Sequence, residues 1–203
     1  MSKYTGYVTL PVTSYSAWKN AVNGNGFDVD YPSGYGCQCY DLALLFWNNV
    51  GFPQGYPLST GLEAYGIWTR RNENISYNGT TYFDLVTNLN NVKKGDILVY
   101  NGFSANPNGH IGWADEDYAT WHANNPSSRE FPILSQNNGG TVDPDGGSYA
   151  NIHGYDTQYF LGAFRYKSWQ PTPPPPPVTT GSNRSRLPLI LMTRRINNPD
   201  SML

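Results

Sequence analysis

The feature that most constrains the fold of this chain is a run of prolines towards its C-terminal end. Residues 171–177 read PTPPPPP. Such a run adopts the extended polyproline II conformation and cannot join a packed core, because proline fixes φ and has no backbone N–H to donate. We therefore predict three regions: a globular domain at residues 1–169, a proline-rich linker at 170–181 and a short tail at 182–203.

The composition predicts a loop-rich domain that contains a sheet. Of the 203 residues only 14% are charged, whereas glycine and tyrosine are abundant, with 21 and 16 copies. A neutral, aromatic surface suits carbohydrate or cell-wall polymer. The formal net charge of −2 offers no basic stripe to a phosphate backbone, so we expect no nucleic-acid partner.

The N-terminal segment and the hydropathy pattern bear on where the protein is made. Residues 1–18 lack the continuous apolar stretch of a secretory signal peptide. No run of the sequence approaches the ~18 apolar residues that span a bilayer, so we expect no stable membrane insertion. We therefore expect synthesis in the cytoplasm without a signal peptide. If the protein acts outside the cell, something other than a signal sequence must release it.

Helical patterns come early in the chain and strand patterns come later. Apolar spacing predicts helices at residues 14–23, with Ser14 as N-cap, and at 39–50. Beyond Gly95, short β-like runs predict strands at residues 96–100, 110–113, 131–134 and 159–166. The predicted fold class is α+β, with N-terminal helices packed on an antiparallel sheet.

Cys39 is the candidate nucleophile on chemical grounds. It follows a glycine-rich turn and begins the second predicted helix. Unpaired amides and the dipole at a helix N-terminus stabilise a thiolate, so we expect a lowered pKa for this thiol. The reaction also needs a base that later protonates the leaving amine, and His110 is the candidate. Strand alternation predicts that the His110 side chain lies on the face opposite Ile111.

The segments around Cys39 and His110 resemble a known family, the CHAP (cysteine- and histidine-dependent amidohydrolase/peptidase) domains. The similar segments are the family's acidic pair, its YGxQCxDL, GD(I/V) and GH(I/V)G motifs, a QN-containing strand and the closing strand of phage lysins. In this chain they are residues 26–30 (GFDVD), 35–42 (YGCQCYDL), 95–97 (GDI), 109–112 (GHIG), 135–140 (SQNNGG) and 160–169 (FLGAFRYKSW). They occur in the family's order across residues 14–169, which makes the set far more specific than any one motif.

The resemblance implies a papain-like fold and a peptidoglycan hydrolase of the endolysin type. Cys39 would attack an amide or peptide carbonyl of the bacterial cell wall, and His110 would act as base and then as acid. Gln38 is expected to help bind the oxyanion. Both an N-acetylmuramoyl-L-alanine amidase and a cross-bridge endopeptidase fit this pattern. A virion-associated structural or wall-binding protein is the alternative.

The residue that orients His110 is where the chain departs from the family pattern. Many members have Glu two residues before an Asn in the following strand, a register that gives Ser135 and Asn137 here. We favour Asn137, because a side-chain amide accepts from an imidazole N–H without adding charge. Asn124 and Glu116 are the other candidates.

Asp28, Asp30 and Asp41 are the candidate metal ligands. In calcium-binding members of the family, an Asp-x-Asp pair before the nucleophile and an Asp two residues after it hold the ion. Oxygen ligands of this kind suit Ca²⁺. Residues 31–33 lengthen the loop behind the pair in this chain. The expected role of the ion is structural: it would fix the loop that presents Cys39.

Cys37 is the competing thiol, and two alternatives include it. One is a disulfide between Cys37 and Cys39, and the other is a Cys-x-Cys zinc site with His110, for which the sequence supplies no evident fourth ligand. His122 and His153 are expected to be solvated or structural.

The tail combines four arginines with the apolar segment at residues 187–192 (LPLILM). It is too short to fold by itself. We favour an unstructured or docked end, and a segment that contacts wall polymer, membrane or another protein is the alternative.

Overall fold

The computed structural model describes residues 1–30, 32, 35–61 and 63–170. Met1–Pro171 form one compact unit. The predicted tail at 182–203, and the predicted linker beyond residue 170, lie outside the described residues. Within the described part of the chain, no helix is long and apolar enough to cross a bilayer.

The described residues form five α-helices and ten strands. The helices are α1 (Tyr15–Val22), α2 (Cys39–Asn49), α3 (Tyr65–Thr69), α4 (Arg71–Asn74) and α5 (Tyr118–Asn124). The strands are β1 (Lys3–Thr5), β2 (Gly26–Asp28), β3 (Ser76–Tyr77), β4 (Thr80–Thr81), β5 (Phe83–Val86), β6 (Ile97–Tyr100), β7 (His110–Ala114), β8 (Glu130–Ser135), β9 (Asn151–Asp156) and β10 (Phe160–Tyr166). Three short 3₁₀ turns lie at Leu89–Asn91, Thr157–Tyr159 and Lys167–Trp169.

Six of the strands form one antiparallel sheet in the order β5-β10-β6-β7-β8-β9. The four strands predicted from the sequence are β6, β7, β8 and β10, and the two at the sheet edges, β5 and β9, were not predicted. Both predicted helices are present, and Ser14 caps α1 by accepting the N–H of Ala17 at 3.1 Å. The α+β prediction is confirmed.

The central strands of this sheet bury side chains on both faces, because their residues alternate between two apolar clusters. In β6, Ile97 and Val99 join the cluster that contains α1 and α2, and Leu98 joins the cluster beneath α5. Trp18 of α1 packs against Phe46 of α2, with ring centroids 4.9 Å apart. The helix α5, which covers the second face of the sheet, was not predicted from the sequence, where helices were expected only from the N-terminal part of the chain.

The helix α2 places Cys39 because its start is fixed by hydrogen bonds and its body is buried. Asp41, in its first turn, accepts the backbone N–H of Gln38 at 2.9 Å and that of Val29 at 3.1 Å. All six residues from 42 to 47 are buried, so the helix runs through the core and packs on β7. The strand that begins with His110 therefore lies against the helix that begins with Cys39.

Candidate active site

A cleft with a volume of about 290 Å³ lies at the start of α2 and the start of β7. Cys39 and His110 both line it, although they are far apart along the chain. The other lining residues are Asp30, Tyr35, Gln38, Tyr40, Asp41, Ala64, Asn106, Asn108, Gly109 and Asn137. All of the predicted site residues except Asp28 thus meet around one cleft.

Cys39 is 9% exposed, and this burial decides its protonation. Desolvation raises the pKa of the thiol to about 11, against the opposing effect of the backbone N–H groups of Ile111 and Tyr40. The sequence-based prediction of a lowered pKa is therefore wrong for the protein without substrate. The helix N-terminus does favour the thiolate, but the loss of hydration outweighs it. Cys39 is a neutral thiol at pH 7.

His110 is held at the first position of β7 by the turn before it. Gly109 has φ +69°, a conformation that glycine adopts without strain, and a side chain there would contact the carbonyl oxygen of Tyr100. The imidazole is 2% exposed, and burial, assisted by His153, lowers its pKa to about 3. The ring is neutral at pH 7, as a general base must be.

The contacts of the imidazole correct the prediction for its orienting residue. Its Nε2 atom lies 2.9 Å from Ser135 Oγ, whereas the Asn137 amide donates to Gln38 Oε1 at 2.5 Å. Asn137 therefore lines the cleft, and among the described residues its amide donates to Gln38 and forms no hydrogen bond with the imidazole. The two other candidates, Asn124 and Glu116, have exposed side chains, and neither forms a hydrogen bond with His110 among the described residues.

Tyr155 is a second neighbour of His110 that sequence reasoning missed. Its ring stacks on the imidazole, with centroids 4.6 Å apart and planes 10° from parallel. It belongs to the α5-side cluster, whereas Ile111 belongs to the α2-side cluster, so His110 lies opposite Ile111, as alternation predicted. Ser135 could have been found, since it occupies the family's Glu register, but no sequence signal pairs Tyr155 with His110.

Gln38 immediately precedes the nucleophile and forms hydrogen bonds with three neighbours besides Asp41. Its side-chain amide donates to the carbonyl of Tyr35 and accepts from Asn137, and its carbonyl accepts from Gln136 Nε2 at 2.8 Å. An amide nitrogen carries two hydrogens, so one N–H of Gln38 remains for a ligand in the cleft.

The three predicted metal ligands are brought together beside the cleft. Asp28, Asp30 and Asp41 each offer a carboxylate oxygen within 4.8 Å of the others. The Oδ1 atom of Asp28 is buried and has no hydrogen-bond partner, and burial, assisted by the neighbouring carboxylates, raises the pKa of Asp41 to about 7. An unpartnered buried oxygen among three carboxylates is the donor set that fits a hard cation such as Ca²⁺.

The alternatives for Cys37 find no support. Cys37 and Cys39 are both free thiols, which corrects the disulfide alternative. Side chains that could share an ion form carboxylate groups only, wherever the structure describes the chain, so no zinc cluster with His110 is present there. His122 lies in α5 and His153 in β9, and both are exposed, as expected for solvated side chains.

The chain is similar in fold to a solved endolysin structure and in sequence to a curated phage protein. No protein-family model matches the chain. The solved structure of the wild-type endolysin LysIME-EF1 superposes with a TM-score of 0.52 and 22% identity, over 75% of this chain and 62% of that one. This chain shares its fold with an endolysin.

A curated protein of Streptococcus phage B30, the D-alanyl-L-alanine endopeptidase, is 28% identical over 160 residues. The match covers 78% of this chain but 31% of the phage protein. The chain therefore corresponds to about a third of that relative, and the relative's full activity belongs to a longer protein.

Proposed function

We propose that this protein is a peptidoglycan hydrolase of the endolysin type, with Cys39 as nucleophile and His110 as its base. The observation that carries the proposal is the cleft that both side chains line at the junction of α2 and β7. The shared endolysin fold and the sequence similarity to a phage endopeptidase support it independently. No observation favours the alternative of a structural virion protein.

The reaction begins from an uncharged pair, since the thiol and the imidazole are both neutral at pH 7. As the Cys39 sulfur attacks the substrate carbonyl, its proton passes to His110. With Nε2 facing Ser135, Nδ1 is the ring atom that accepts it. In this proposal the free N–H of Gln38 donates to the oxyanion. The imidazolium then protonates the leaving amine, and water hydrolyses the thioester to restore the thiol.

The bond that we propose is a peptide bond of the peptidoglycan peptide, in line with the name of the phage relative. Half of the residues that line the cleft are tyrosines or carboxamides, whose side chains can stack on and hydrogen-bond with a peptide. The N-acetylmuramoyl-L-alanine amide bond is the alternative. Mass spectrometry of released muropeptides distinguishes the two, because an amidase leaves muramic acid without its peptide.

The three aspartates would hold Ca²⁺ as a structural ion. Asp41 also accepts the N–H of Gln38, so the ligand set is bonded directly to the residue before the nucleophile. Isothermal titration of the protein with Ca²⁺ should give one site, which Asp30→Asn weakens and Asp84→Asn, an exposed acid on β5, leaves unchanged. Equal affinity in the Asp30 variant would exclude this ligand set.

Clearing of Gram-positive cell walls tests the proposed function. The wild type should clear purified walls and Cys39→Ala should not, because no other thiol lines the cleft among its described residues. Cys37→Ala is the matched control, since this buried thiol lies two residues away and has no proposed role. Clearing by Cys39→Ala at the wild-type rate would refute the assignment, as would wall binding without clearing by the wild type.

A further inference from the structure

The imidazole of His110 is held by a hydroxyl group instead of by a carboxylate or a carboxamide. Ser135 Oγ lies 2.9 Å from Nε2, and Ser135 is fully buried. No carboxylate of the described residues forms a hydrogen bond with the ring. The contact is therefore an uncharged one between two buried side chains.

Gly112 on β7 has no side chain, and this makes the contact between Ser135 and His110 possible. Trp113 pairs with Leu134 across the two strands, so the next antiparallel pair brings Gly112 opposite Ser135. A Cβ atom on Gly112 would lie 2.9 Å from Ser135 Cβ and 2.9 Å from Ile133 Cδ1. Gly112 thus leaves the space that Ser135 fills, on the face of β7 where His110 lies two residues earlier.

A stacked tyrosine also restricts the plane of the His110 ring. Tyr155 stacks on the imidazole at 4.6 Å, and its hydroxyl accepts from Asn106 Nδ2 at 3.1 Å. The tyrosine is therefore held at both ends. Stacking fixes the plane of the imidazole, and the Ser135 contact fixes its rotation within that plane.

We propose that Ser135 is the positioning residue of His110, because its buried hydroxyl lies within hydrogen-bond distance of the ring Nε2. This inference rests on the proposed function. By accepting the Nε2–H, the hydroxyl selects the tautomer whose Nδ1 lone pair is free for the thiol proton. A carboxylate at this position would also stabilise the imidazolium, and a hydroxyl does so far less.

Two carboxylates, Asp30 and Asp41, line the cleft, but neither forms a hydrogen bond with the ring. The other titratable groups around the ring carry no negative charge at neutral pH. They are Tyr100 on β6, His153 and Tyr155 on β9, and Cys39 on α2. Burial raises the pKa of Tyr155 to about 12, so this phenol stays neutral. The lowered pKa of His110 is consistent with such a setting.

The first test compares wall-clearing kinetics of Ser135→Ala, Ser135→Thr and Ser135→Asp. Loss of the hydroxyl should lower kcat on the order of 100-fold, since a small misplacement of a base has that effect, with KM little changed. Threonine should recover much of the rate. Ser148→Ala is the matched control, because Ser148 is also buried but its hydroxyl has no partner; its kcat should equal that of the wild type.

The second test measures the tautomer and the protonation of the His110 imidazole and does not depend on activity. In a Cys39→Ala background, ¹⁵N NMR should show His110 protonated at Nε2 and neutral down to pH 5. Ser135→Asp should raise the midpoint of the His110 titration by at least one pH unit. In the enzyme that retains Cys39, the same substitution should move the acid limb of the pH profile of kcat to higher pH by a similar amount. Failure of the wild type to clear walls would refute the proposed function and leave this measurement valid. An unchanged kcat in Ser135→Ala, or an unchanged His110 titration in Ser135→Asp, would refute the role of Ser135.

Discussion

Replacing His110 with glutamine should remove a large part of the protein's sensitivity to acid. The pKa of the imidazole falls from 6.5 to about 3 because it is buried. Between these two values the unfolded chain binds a proton that the folded protein does not. The stability contributed by the buried neutral ring is therefore fully present above pH 6.5 and is lost progressively as the pH falls towards 3.

The size of the effect follows from the two pKa values. At pH 5, protonation favours the unfolded chain about 30-fold, which lowers the free energy of unfolding by about 2 kcal/mol. At pH 4 the loss is about 3 kcal/mol by the same calculation. Either value is a large share of the ~5–15 kcal/mol that stabilises an ordinary domain.

Urea unfolding, followed by the fluorescence of the six tryptophans, measures this loss at pH 8, 7, 6 and 5. The difference in unfolding free energy between wild type and His110→Gln should shrink by about 2 kcal/mol from pH 8 to pH 5. Cys39→Ala is the control, because it alters the same cleft but keeps the imidazole, and it should show the wild-type pH dependence. A difference between wild type and His110→Gln that stays constant from pH 8 to pH 5 would refute the reasoning.

Three further substitutions test other parts of the structure. Lys3→Met should lower the free energy of unfolding in urea by about 3 kcal/mol, because Lys3 Nζ lies 2.6–3.2 Å from three aspartates and two of them are buried. A urea midpoint equal to that of the wild type, measured with EDTA present, would contradict this. Phe46→Ala should cost about 4 kcal/mol, since the ring is fully buried among other aromatic side chains, and a loss below 1 kcal/mol in the same assay would show that the core repacks. Gly109→Ala should lower wall clearing, because a side chain at Gly109 would meet the Tyr100 carbonyl next to His110. Asn78→Ala is the control, since Asn78 also has positive φ but lies far from β7 in sequence, and it should lower clearing less. Equal losses of clearing in the two variants would exclude a local effect at His110.

Local residue patterns determine much of the secondary structure of this protein. Ser14 as an N-cap, the start of α2 at Cys39 and the four predicted strands are properties of residues that are neighbours in sequence. The motif order also placed a cysteine and a histidine in one expected site. The edge strands β5 and β9 were missed, because their exposed residues have no clean alternation.

The tertiary structure alone decided the chemistry around these two residues. The pKa of Cys39 depends on how completely the cleft removes water from the sulfur, which no helix position can specify. Ser135, and not Asn137, meets His110 because the pairing of β7 with β8 brings it beside the gap at Gly112. Local patterns are written in consecutive residues, whereas desolvation and cross-strand contacts arise between segments that become neighbours only when the chain has folded.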